Sequence, residues 1–167
     1  AIRHFRDAAD VDPLAPGPLY QLSRLHFELW KQQAELLPQQ MEKDRSWKRG
    51  IEAAHAAIDR DPHSWAGHEL LAHFYRERFV LQGRPADARE AVAWLKRAII
   101  RYPSDVRLRA SFARLLARTA ATDEAKIEAR AALRLEQINQ DRGHLDKLLA
   151  PADVEHLKEL TERSDSN

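Results

Sequence analysis

Residues 91–103 read AVAWLKRAIIRYP, and this stretch decides the fold. Val92, Leu95, Ala98 and Ile99 fall at helical spacing, so they share one face. Ala91 opens the stretch with a small side chain. Pro103 closes it, because the residue before a proline is pushed out of the α region. The rhythm returns in Gly50–Pro62, GIEAAHAAIDRDP, with Ile51, Ala54, Ala57 and Ile58 on the face. It is also present in Ala1–Pro13, AIRHFRDAADVDP, with Ile2, Phe5, Ala8 and Ala9. A looser fourth copy keeps Ala125, Ala129, Ala132 and Leu133 but has Gln137 in place of the proline.

Each proline is followed by a second stripe with spacing i, i+3, i+4, i+7. The first starts near Pro18 and carries Leu19, Leu22, Ser23 and His26. The next follows Ser64, an expected N-cap, and carries His68, Leu71, Ala72 and Tyr75. The third follows Ser104 and carries Arg109, Phe112, Ala113 and Leu116. One small residue in each stripe (Ser23, Ala72, Ala113) lets a neighbouring helix come close.

The composition excludes several function classes. A chain of 167 residues with 44% hydrophobic and 32% charged residues is long and apolar enough for one folded domain. The net charge of +1 makes it no polycation, so non-specific nucleic-acid binding is not expected. Charge is uneven, with eight Lys/Arg against four Asp/Glu between Arg101 and Arg134. The absence of cysteine excludes disulfides, thiol catalysis and Cys-based zinc sites, and leaves cytoplasm and periplasm both open. No apolar run approaches the roughly 20 residues of a membrane span, and no signal peptide is visible.

No catalytic or cofactor constellation emerges. There is no Gly-rich phosphate loop and no Gly-x-Ser-x-Gly elbow. His63, His68 and His73 are spaced by five, which turns about 140° per step on a helix, so they point three ways. HELLAH is one residue too long for the HExxH zinc motif. No metal, cofactor or catalytic residue is therefore expected. Glu69 and His73 read as an i, i+4 charge pair, with Arg76 one turn on. Trp47, Trp65 and Trp94 read as packing residues. Phe27 and Trp30, with Tyr20, read either as packing under an overlong helix or as an apolar patch for a partner.

The alternation of the two helix types resembles the tetratricopeptide repeat, or TPR, family. The best match is Trp65–Pro103, through Leu71, Ala72 and Tyr75, then Ala91, Leu95, Ala98 and Pro103. The opening half-repeat matches through Ala1, Phe5, Ala8 and Pro13. The resemblance spans about Ala1 to Gln137 and rests on spaced residues that recur in several copies. It implies an all-α fold: a right-handed α-solenoid of antiparallel helix pairs. The expected organisation is one helical-repeat domain, 1–163, followed by a tail at 164–167. Within it lie a half repeat at 1–13, repeats at about 16–62, 64–103 and 104–137, and a C-terminal cap at 144–163. The family repeat of about 34 residues is exceeded twice. The first excess, Lys31–Arg49, reads as a helix running on to Pro38, a short connection, and a helix from near Ser46. The second reads as Phe79, Val80 and Leu81 prolonging a helix up to a turn at Gly83 and Pro85. Gly143 is expected to end a helix, and Pro151 to open the capping helix through Val154, Leu157 and Leu160.

Proteins of this family bind extended peptides or helices along a concave surface lined by the first helix of each pair. Carried onto this sequence, the lining positions are Tyr20, Arg24 and Phe27, then Glu69, His73 and Arg76, then Arg107, Arg114 and Arg118. Some members clamp a C-terminal carboxylate with Lys and Asn. This chain has no Asn at those places and has Arg24, Arg114 and Arg118, whose planar forks suit carboxylates or phosphates. The expected function is a non-catalytic protein–protein interaction module, a scaffold or adaptor whose protein or peptide partner is acidic. No nucleic acid is expected, because no repeated base-reading pair is present, and no membrane insertion by this chain.

An alternative is a soluble appendage of a larger bacterial membrane protein. ALRLEQINQDRGHLDKLL, Ala132–Leu149, is similar to the end of TPR regions in O-antigen ligase-like glycan-transfer enzymes. The chain opens on the second helix of a pair without its partner. That predicts a piece of something longer, with an uncovered N-terminal end able to dimerise.

Overall fold

A computed structural model describes residues 1–36 and 45–162. Among them are eight α-helices, one 3-10 turn at Leu145–Lys147, and no strand. The helices are α1 (Ile2–Val11), α2 (Gly17–Leu36), α3 (Arg45–Arg60), α4 (Ala66–Gln82), α5 (Pro85–Arg101), α6 (Val106–Arg118), α7 (Thr122–Asp141) and α8 (Pro151–Glu162). The expected run of α2 up to Pro38, the connection after it and the polar tail lie outside the described residues.

α2 with α3, α4 with α5, and α6 with α7 form antiparallel pairs that stack in chain order, with α1 on α2 and α8 on α7. The result is an all-α solenoid. The small residues of the repeat set the approach distance. Ala54, Ala57, Ala91, Ala98, Ala129 and Ala132 are fully buried between helices. At Gly50 a Cβ would overlap the Phe74 ring of α4. Its carbonyl accepts a hydrogen bond from Ser23 Oγ at 2.7 Å, which ties α3 to α2. Hence the stretch opens on a small residue: a larger one would push the next pair away.

A second recurring device appears only in three dimensions. The eleventh residue of the second and third stretches is arginine. Arg60 Nη1 donates to the Ala15 carbonyl at 3.0 Å, and Arg101 Nε to the Pro62 carbonyl at 2.7 Å. Each arginine ties the end of its pair to the loop that begins it. Val11 occupies the corresponding place in the opening stretch and is 85% exposed.

Two helices expected to begin directly after a serine begin one residue later. α6 is capped by Asp105, not Ser104: its carboxylate accepts from Arg107 N at 2.8 Å and Leu108 N at 3.0 Å. A carboxylate answers both the unpaired N–H groups and the positive helix end. α4 begins after Trp65, while Ser64 Oγ still accepts from Ala66 N at 3.3 Å. The expected turn at Gly83 and Pro85 is present. Gly83 caps α4 at φ +66°, where a Cβ is disfavoured, and Pro85 opens α5. Gly143, also left-handed, follows α7. Pro151 opens α8, which buries Leu157 and Leu160.

One buried ion pair holds the central hairpin. Arg78 grips Asp87 with both arms, Nε to Oδ2 at 2.8 Å and Nη2 to Oδ1 at 2.5 Å. Its guanidinium lies 3.8 Å above the centre of the Trp47 ring. Asp87 is 2% exposed, so the pair joins α3, α4 and α5 in a place water does not reach. Glu136 performs the matching task at the C-terminal end. It is buried in α7 and accepts from Leu149 N at 3.0 Å, which fixes the segment leading into α8.

Candidate functional site

α2, α4 and α6 each contribute one stripe to a common face. Glu69 on α4 is under the influence of Arg24 from α2, Arg76 from its own helix and Arg107 from α6. Burial pushes the Glu69 carboxyl above its ordinary range, Asp105 adds to that rise, and the three arginines oppose it. Arg24, Glu69, Arg76 and Arg107 are thus within electrostatic reach of one another, but not every position expected from the sequence remains available.

Of the three expected lining positions on α2, only Arg24 is exposed. Phe27 is 4% exposed. Its ring stands 4.9 Å from Phe74 and 4.6 Å from His73, centre to centre. Trp30 is fully buried in the same cluster. Tyr20 is half-buried against Gly67 of α4, with its hydroxyl out of water. The apolar patch considered for a partner is therefore spent on the α2–α4 junction. These aromatics pack because α4 presents Phe74 and a glycine opposite them.

On α4, His73 Nε2 faces Glu77 at 3.7 Å rather than the expected Glu69. Burial, then the nearby Arg76, lowers the imidazole to about 4, so it is neutral at physiological pH. Arg76 is held on two sides, by Glu77 at 3.0 Å and by Ser111 Oγ of α6 at 2.9 Å. His63 is exposed and His68 is buried beside Trp94, so the three histidines do point apart. No group of metal-ligating side chains occurs among the described residues.

On α6 two of the three arginines are engaged by the C-terminal cap. Arg107 Nη2 donates to the Asp146 carbonyl at 2.5 Å. Arg114 pairs with the Asp153 carboxylate on α8. Both links span 39 residues of sequence, which no local pattern reveals. Arg118 is exposed and makes no ion pair among the described residues; the same holds for Arg24.

Between α4 and α6 the face opens into a cleft of about 320 Å³. Arg76, Glu77 and Val80 line one wall; Ser111, Arg114, Leu115 and Arg118 line the other. Three guanidinium groups against one lining carboxylate give it a positive character, and Asp153 shows that a carboxylate fits against Arg114. Glu77, Ser111 and Asp153 are the residues at the cleft that sequence reading missed. Ser111 and Glu77 had a usable signal, since each lies within a turn of a residue already placed on the face. Asp153 had none.

No family model matches the chain, and no curated protein matches it. Solved structures do match. MamA is 14% identical, with a TM-score of 0.59, over 96% of this chain and 86% of its own. TTC0263, a thermophilic TPR protein of Thermus thermophilus, is 20% identical, with a TM-score of 0.58, over 98% and 82%. The MamA RS-1 ArsTM double mutant is 14% identical, with a TM-score of 0.51, over 84% and 85%. None of the three is an O-antigen ligase-like protein. At these identities the likeness is one of fold: the chain is an all-α helical-repeat solenoid built like the TPR proteins it matches.

Proposed function

We propose that the chain is a non-catalytic protein–protein interaction module. It takes an acidic, extended segment of a partner protein along the face of α2, α4 and α6. The observation that supports this reading is the α4–α6 cleft, with Arg76, Arg114 and Arg118 on its walls. Charge-assisted bonds from guanidinium to carboxylate are about twice as strong as neutral ones. Arg118 contributes a cation that no carboxylate of the described chain neutralises. Arg114 is reached by displacing Asp153, whose side chain is 40% exposed.

A randomised displayed peptide library, selected on the full chain, tests the reading. Selected peptides are enriched in Asp and Glu. Reversing Arg114 and Arg118 together to Glu lowers their affinity at least tenfold, with helicity unchanged by circular dichroism. Unchanged affinity in that variant overturns the assignment.

A further inference from the structure

A second cavity, of about 580 Å³, lies around the corner from the cleft. Its walls are Phe79 from the end of α4, Ala88 and Val92 from the first turns of α5, Leu116 from α6, and Ala121 just before α7. Arg89 and Arg118 stand among its lining residues. The interior is apolar and the charges are cationic. Glu124, the acidic residue on the lining, faces Lys96 at 3.7 Å. Arg89 is exposed and, like Arg118, has no ion pair among the described residues.

The two cavities are continuous in their lining. Arg118 belongs to both. Val80 lines the cleft, and its neighbour Phe79 lines the pocket. A chain segment leaving the cleft past Arg118 therefore meets the pocket next. Its volume lies in the range of sites that take a small ligand, and leaves ample room for one large side chain.

We propose that this pocket takes one large apolar side chain, Leu, Phe or Trp, of the same acidic segment, with Arg89 and Arg118 holding carboxylates on either side of it. The proposal rests on the cleft reading and adds the anchor that fixes register. A purely electrostatic groove lets an acidic peptide slide. A buried apolar side chain stops it, because removing such a group from water is favourable in one position only.

The peptides selected on the wild-type chain carry the test. They share one large apolar residue flanked by Asp or Glu, and replacing that residue by Ala weakens binding at least tenfold. Arg89→Glu, at an exposed position outside the cleft, weakens the parent peptide at least fivefold. Val92→Trp, which fills the pocket, abolishes the preference for the apolar residue. Should Val92→Trp fail to fold, Arg89→Glu and the alanine peptide decide alone.

Selected peptides that bind equally well without the apolar residue, or unchanged binding to Arg89→Glu, overturn the pocket. The cleft reading stands in that case if Arg114→Glu with Arg118→Glu still loses them. Selection of no acidic peptides overturns both. Saturable binding of laurate that leaves bound peptide in place assigns the pocket to a free acid and overturns the anchor.

Discussion

The α2–α4 and α4–α6 junctions use the same repeat position and end differently. Phe27 lies four residues after Ser23, and Arg76 lies four after Ala72. Phe27 reaches the next first helix through ring contact with Phe74 and His73, and the junction is closed. Arg76 reaches it through one hydrogen bond to Ser111, and the junction stays open as a cleft. A phenyl ring lowers free energy by leaving water, so it draws two helices together. A guanidinium keeps its hydration and spans a gap with its long stem. One difference at one repeat position thus separates a closed junction from an open one.

The largest expected effect breaks the closed junction. Phe74 is fully buried between Phe27, Trp30 and Gly50. Phe74→Ala costs about 3–5 kcal/mol through lost burial and a cavity. Chemical denaturation measures it, and a loss under about 1 kcal/mol means that the junction is not what holds the first two pairs together.

A smaller effect appears on acidification. His73 binds its proton near pH 4 in the folded chain, against an ordinary 6.5. The unfolded chain therefore binds more protons between those values, and stability falls as pH drops through that window. His26 and His68, both lowered chiefly by burial, act in the same direction. Glu69 acts oppositely. Its raised folded value means that its contribution is present below its ordinary range and is lost as pH rises through the folded value. Melting curves from about pH 7 to pH 4 show the net loss. His73→Gln makes it shallower; an unchanged slope in that variant removes His73 from the account.

The smallest effect on stability sharpens the comparison most. Arg76→Phe places at the second junction what the first already has. It changes stability by less than about 1 kcal/mol, because a ring at this half-buried position gains burial while losing the Ser111 bond. It also weakens binding of the acidic peptides selected on the wild type, since a ring now stands in the cleft. Retained binding assigns recognition to some other part of the face.

Much of this architecture is legible from local spacing. The stripes at Val92–Ile99 and Leu19–His26 fix which side of a helix is buried, because helical geometry repeats about every 3.6 residues whatever lies opposite. Pro13, Pro62 and Pro103 end helices for a reason internal to the backbone, as Gly83 ends α4. The candidate site is legible only as a set of positions on one face. Which of those positions remain free is not, because each is decided by its neighbour across a helix boundary.

The sequence by itself determined the helices, their buried stripes and the stops between them. Tertiary structure alone decided that Phe27 is a junction residue, that Arg107 and Arg114 are engaged by the cap, and that Arg118 is left between two cavities. The physical reason is one of range. Helix periodicity is set by bonds within a few residues, whereas the Arg114–Asp153 pair and the Phe27–Phe74 contact depend on how whole helices are placed against each other.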